Sequence, residues 1–128
     1  MTTHSELLPA EPLHALQLAQ QIRDGKLSSL EATQQCIARI QKVDPHINSV
    51  VIPLFDLALK DAARLDAMAA RGEYAGPLHG VPITIKECFY VADTDCCLGV
   101  DGLTQQPSER DGVIVERLKA AGAVVLGK

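Results

Sequence analysis

The stretch Gly76-Pro77-Leu78-His79-Gly80-Val81-Pro82-Ile83-Thr84-Ile85-Lys86-Glu87-Cys88 constrains this chain more than any other. Gly76 and Gly80 admit backbone angles that side-chained residues resist, while Pro77 and Pro82 fix theirs, so the first half reads as a rigid loop. From Val81 the pattern alternates, with Val81, Ile83, Ile85 and Glu87 on one face and Pro82, Thr84, Lys86 and Cys88 on the other. This predicts a short apolar strand with Lys86 at its exit, facing away from Glu87. Two readings of Lys86 fit that placement. At the end of a buried strand with no carboxylate beside it, desolvation disfavours the ammonium and yields a general base. At a sheet edge, the stem lies on apolar surface and the charged head stays in water.

The elements around this stretch follow from caps and periodicity. Glu11-Pro12 opens a first helix with Leu13, Leu16, Ala19 or Gln20, and Ile22 on its inner face, and Gly25 ends it. Ser28-Ser29-Leu30-Glu31 has capping-box form and starts a second helix, striped by Leu30, Thr33, Ile37 and Ile40 and stopped at Asp44-Pro45. A short strand over 48–52 comes next, closed by Pro53. A third helix runs from about Leu54 to Arg71, burying Leu54, Leu57, Ala58, Leu65, Met68 and Ala69, with Lys60, Asp61, Arg64 and Asp66 solvated. Residues 89–110 lack periodicity and read as an irregular loop, a length that is uncommon inside a compact core. Asp111 caps a last helix, Gly112 to Ala121, with Val115 and Leu118 inward, and Ala123 to Leu126 form a buried strand. Helix, glycine and buried strand in that order predict an α/β unit that continues beyond Lys128.

Composition narrows the function classes. The chain has 128 residues, 47% of them hydrophobic, enough for one core. A net charge of -4 with dispersed cations argues against nucleic acid as a partner. No apolar run reaches membrane-span length and the start lacks a basic-then-apolar pattern, so a soluble, cytoplasmic protein is expected. Cys36, Cys88, Cys96 and Cys97 show no CxxC spacing and read as reduced, packing thiols. His4, His14, His46 and His79 are dispersed, which argues against a metal site.

Two further patterns invite chemistry. Gly122 to Lys128 fits GxxxxGK, but the four residues between the glycines are themselves strand, and no serine or threonine follows the lysine, so a phosphate loop is rejected. Cys88, Cys96 or Cys97 as a nucleophile would need a base and an orienting group, and a packing thiol is the simpler reading. His79 reads as a loop residue bonded to backbone.

Residues 76–86, followed some distance later by Asp111-Gly-Val-Ile-Val-Glu-Arg-Leu-Lys-Ala-Ala-Gly-Ala-Val-Val-Leu-Gly-Lys128, resemble the N-terminal part of the amidase signature family. Leu13 to Val51 is similar to that family's opening helices, less specifically. Lys86-Glu87-Cys88-Phe89 resembles the fatty-acid amide hydrolase-like branch, where most members have Lys-Asp-Asn, and Cys97-Leu98-Gly99-Val100 stands where most have a Thr-x-Gly-Ser loop. The resemblance implies hydrolysis of carboxamide C–N bonds by two serines and a lysine, with Lys86 as the general base, no cofactor and a small amide as substrate. A homodimer is compatible with it. It also implies that both serines and the oxyanion amides lie in a Gly/Ser-rich segment, a setting that Ser5, Ser28, Ser29, Ser49 and Ser108 lack, so residues 1–128 alone are expected to be inactive. The expected fold is α/β, a mixed sheet between helix layers, with residues 1–128 forming one incomplete domain and leaving strand edges open. Two rival readings remain: a non-catalytic module that binds a partner, and a fragment of the tRNA-dependent amidotransferase A-type subunit, against which the Lys-Glu-Cys-Phe word speaks.

Overall fold

The computed structural model describes residues 13–128. In chain order they form α1 (Ala15–Arg23), α2 (Ser29–Ile47), α3 (Phe55–Ala69), β1 (Pro82–Thr84), a 3₁₀ turn (Asp101–Leu103), α4 (Val113–Ala120) and β2 (Val124–Gly127). Strands β1 and β2 pair in parallel, Pro82 opposite Val124 and Ile83 opposite Val125, with a register shift before Thr84 meets Gly127. Parallel neighbours need a crossover, and the 89–110 loop with α4 supplies it.

The second edge of β2 is covered by 51–54, which run antiparallel to it through a bridge between Pro53 and Gly127. Lys128 N donates to Ile52 O at 2.9 Å, and Leu54 N donates to Leu126 O at 2.9 Å. The strand expected over 48–52 does not form, and the bridge to Gly127 falls on Pro53, just after it. Asn48 takes left-handed angles to end α2, and the Asp44 carboxylate gathers the amides of Ser49 and Val50, which bends the chain before it can pair.

Alternation along β2 builds two cores. Val124 and Leu126 face one way, onto Ile37 of α2 and Ala58, Ala62 and Leu65 of α3. Val125 faces the other way, onto Ile85, Val91 and Val115, with Leu118 packed alongside. This is a mixed sheet with helices on both faces, the layered arrangement expected from the sequence. A fully buried valine or leucine contributes about 1.5–3 kcal/mol relative to exposure. Val124 and Leu65, both almost fully enclosed, thus anchor the α2–α3 side.

The capping box of α2 forms as expected, whereas the expected stop of α2 and the expected cap of α4 do not. Ser28 Oγ accepts from Glu31 N at 3.0 Å, and Glu31 returns the bond to Ser28 N at 2.8 Å. α2 does not stop at Asp44-Pro45 but runs through Pro45 to Ile47. The proline sits in the last turn, where it forfeits one helical hydrogen bond, and Asn48 N still reaches Asp44 O at 2.7 Å. In α1, Leu16 is 76% exposed and only Ile22 is buried, because the helix touches its neighbours through its last turn. Its expected start at Glu11-Pro12 lies outside the described residues. Leu57 of α3, expected inside, is 57% exposed, and Ala62 takes the inward position instead. Asp111 does not cap α4; its carboxylate accepts from Ala92 N at 2.8 Å and pairs with Lys119 at 2.7 Å, tying the crossover loop to the helix.

Candidate active site

The loop 76–81 is built on close backbone approach. Gly80 N donates to Gly122 O at 2.8 Å, and Leu78 N donates to Ala121 O at 2.9 Å. Gly122 has φ +93°, and a Cβ there would lie 2.6 Å from His79 Cα; one at Gly80, φ +79°, would lie 2.2 Å from Ser29 Oγ. No side chain fits between these segments. His79 is buried beneath them. Its Nδ1 accepts from Ala75 N at 3.0 Å, and its Nε2 lies 3.1 Å from Leu65 O, an arrangement that fixes the Nε2–H tautomer. Burial pushes the imidazole below its ordinary pKa, against the pull of the Leu65 carbonyl. The loop is thereby locked to α3 before β1 begins.

β1 delivers Lys86 to its exit as expected. Ile85 N donates to Gly127 O at 2.9 Å, and Phe89 N closes a turn on Lys86 O at 3.0 Å. Val81 and Ile85 are buried, whereas Thr84 and Lys86 are exposed, so the alternation holds across the strand. Of the two placements open to Lys86, these residues give the exposed one: its side chain faces solvent, and among the described residues it forms no ion pair. Local sheet structure extends only to Thr84, so nothing packs over the lysine two positions later.

The desolvated strand-end lysine is instead Lys128. Its side chain is 0% exposed. The ammonium donates to the carbonyl of Asp95 and stands 3.9 Å from Glu87 Oε1. Glu87 accepts from Cys97 N at 2.7 Å and from Leu98 N at 2.9 Å. The Cys97 amide, foremost, holds its carboxyl below the usual range, helped by the Leu98 amide and the Lys128 charge. Asp95 in turn accepts from the amides of Gln105 and Gln106, each at 2.9 Å. The irregular stretch after Lys86 is thus an ordered loop pinned to the strand exit. The signal for Lys128 was present in the sequence, a lysine directly after a buried strand, but its carboxylate partner lies 41 positions back and has no periodic signature.

Three of the four described serines are hydrogen-bonded within the fold. Ser28 caps α2, Ser49 Oγ donates to Asp44 at 2.6 Å, and Ser108 Oγ donates to Arg110 O at 2.6 Å. Ser29 is fully buried, its hydroxyl without a partner against Gly80. Cys36, Cys88, Cys96 and Cys97 are free thiols, each partly buried, and burial raises the pKa of Cys36. No group of three or more His, Cys, Asp or Glu able to hold a metal occurs among the described residues. No helix among them is long and apolar enough to cross a membrane. Residues 122–128, which fit GxxxxGK, run as buried strand through Val124–Gly127 and present no open loop to phosphate.

Residues 31–128 match the family profile described as Amidase. The chain is 40% identical over 112 residues to the A-type subunit of the glutamyl-tRNA(Gln) amidotransferase of Methylococcus capsulatus, covering 88% of this chain and 23% of that protein. It is 38% identical over 113 residues to indoleacetamide hydrolase of Bradyrhizobium diazoefficiens, covering 88% of this chain and 22% of that protein. The native peptide amidase from Stenotrophomonas maltophilia superposes with a TM-score of 0.83 at 34% identity, covering 94% of this chain and 25% of that one. The chain spans about a quarter of the length of the proteins it matches.

Proposed function

Since the chain belongs to the amidase signature family, whose mixed α/β fold it carries in part, we propose that it supplies the lysine of a Ser-Ser-Lys amidase, with Lys86 as the general base. The observation that carries this reading is the placement of Lys86 at the exit of β1, behind a loop with no room for side chains and beside an ordered turn. A primary amine can accept a proton only when its environment disfavours the ammonium, and Lys86 is exposed here. This reading takes the desolvation and both serines from residues other than those described. Residues 1–128 alone therefore do not hydrolyse an amide. Every described serine is engaged as a cap, bonded or closed from solvent, and without a nucleophile and oxyanion donors the main sources of rate enhancement are gone.

The Lys86-Glu87-Cys88-Phe89 word supports a place in the fatty-acid amide hydrolase-like branch; a small amide as substrate rests on the family reading, since four residues do not fix a substrate. A second reading, an amidotransferase A-type subunit, is favoured by the 40% identity to the Methylococcus capsulatus protein. Such a protein would act only together with its partners. The test of the first reading is fluorophosphonate labelling. Residues 1–128 are expected to remain unlabelled, while the product of the whole reading frame that contains them labels on a serine. Labelling of the 128-residue chain would refute the claim that it lacks an activated serine.

A further inference from the structure

We propose that the buried Lys128 and the partly buried Glu87 form an ionic clamp that positions the 95–98 loop against the strand exit carrying Lys86. The observations are independent of the reading given to Lys86, and only the consequence for catalysis rests on it. An ammonium without solvent contact must be compensated, since an unpaired buried charge is among the costliest defects a fold can hold. Lys128 is compensated twice, by the Asp95 carbonyl and by the Glu87 carboxylate at 3.9 Å. Glu87 uses its two oxygens separately: Oε1 takes Cys97 N and faces Lys128, and Oε2 takes Leu98 N. Four contacts thus converge on one carboxylate and one ammonium: three join the loop to the strand exits, and the fourth, between Lys128 and Glu87, joins the two exits to each other.

The backbone supports the same conclusion. Leu98 and Gly99 take successive positive φ values of 53° and 74°, a conformation a leucine adopts only when its surroundings enforce it. The bond from Leu98 N to Glu87 Oε2 at 2.9 Å is made at that residue. Lys128 follows β2 directly, and the 51–52 segment ties its backbone down: its N donates to Ile52 O, and its O accepts from the amides of Val51 and Ile52. The charge is therefore delivered from the sheet and the loop follows it. Glu87 is one residue from Lys86, so whatever fixes Glu87 also fixes where the Lys86 backbone lies. Lys128 is in this sense a positioning residue. The groups that face Glu87 are the Lys128 ammonium, the amides of Cys97 and Leu98, and the Cys97 thiol.

The test compares the chain with its Lys128→Met, Lys128→Arg and Glu87→Gln variants by amide hydrogen exchange and by NMR titration of the Glu87 carboxyl. In Lys128→Met, exchange at Cys97 and Leu98 is expected to accelerate about tenfold or more relative to the Ile37 amide in α2, which reports global opening. The Glu87 titration midpoint rises in the same variant. Lys128→Arg restores both in part, and Glu87→Gln accelerates the same two amides. The clamp is overturned if Cys97 and Leu98 exchange only in step with Ile37, or if the Glu87 midpoint does not move. Should Lys128→Met fail to fold, the unaltered chain decides. Exchange at Cys97 and Leu98, corrected for intrinsic chemistry, must accelerate relative to Ile37 as Glu87 protonates, and constancy across that titration overturns the proposal. None of these readouts depends on amide hydrolysis, so failure of the clamp and failure of the Lys86 reading remain distinguishable.

Discussion

Replacing Gly122 with alanine should damage this fold far more than the same change at Gly72. At Gly122 φ is +93°, and left-handed geometry costs a residue with a Cβ about 1–2 kcal/mol. The added methyl would stand 2.6 Å from His79 Cα and 2.9 Å from His79 N. Both are backbone atoms of a segment held by the bond from Gly80 N to Gly122 O, so they cannot rotate aside. Overpacking of this kind costs about 1–3 kcal/mol, for a sum of about 2–5 kcal/mol. Gly72 also has a positive φ, +74°, but a Cβ there meets nothing within 4 Å, so only the backbone part remains. The assay is equilibrium urea unfolding followed by far-UV circular dichroism. With a slope of about 1–3 kcal/mol/M, Gly122→Ala should lower the midpoint by about 1 M or more and Gly72→Ala by a fraction of that. Equal losses for the two variants would refute the claim that the loop and the α4–β2 corner are built on backbone contact.

Three other outcomes follow from the same contacts. His79 is buried neutral with a pKa pushed down by desolvation, so its contribution is complete above about pH 6.5 and is lost as pH falls from there through its lowered folded value; the stability gap between the chain and His79→Gln should shrink over that window in urea unfolding. Asp66 of α3 accepts from Ser29 N at 2.7 Å and Leu30 N at 2.9 Å, capping α2 from outside, and Asp66→Ala should cost about 1–3 kcal/mol by the same assay. Val124→Ala, which opens space between β2 and α3, should destabilise by about 1–3 kcal/mol, whereas the exposed Leu57→Ala should change stability by about 0.5 kcal/mol or less.

What could be read from the sequence was local. The Ser28–Glu31 capping box, the alternation from Val81 to Lys86 and the run of buried residues before Lys128 each carry their signal within a few positions, and each appears in the structure. What could not be read depends on partners far away. Asp66 looked like one more charge on a solvated face because the amides it accepts from lie 36 and 37 positions earlier. Residues 48–52 have strand-like composition, yet the turn after α2 bends them away from pairing, and the bridge to Gly127 falls on Pro53. Desolvation at the end of a buried strand falls here on Lys128 and not on Lys86, since the strand carrying Lys86 ends at Thr84. A pattern of residues identifies a strand and its faces, but not how much of it a neighbour covers.

Whether Lys86 works as a base, and not merely as a charge, is open to direct measurement. Amide hydrolysis by the product of the whole reading frame that contains these residues is compared with that of its Lys86→Ala and Lys86→Arg variants. Arginine keeps the charge but does not give up its proton, so a true base fails in both. A loss of about 10² to 10⁴-fold in kcat is expected for each, without loss of folding. Activity in Lys86→Arg close to that of the unaltered enzyme would rule out base catalysis by Lys86.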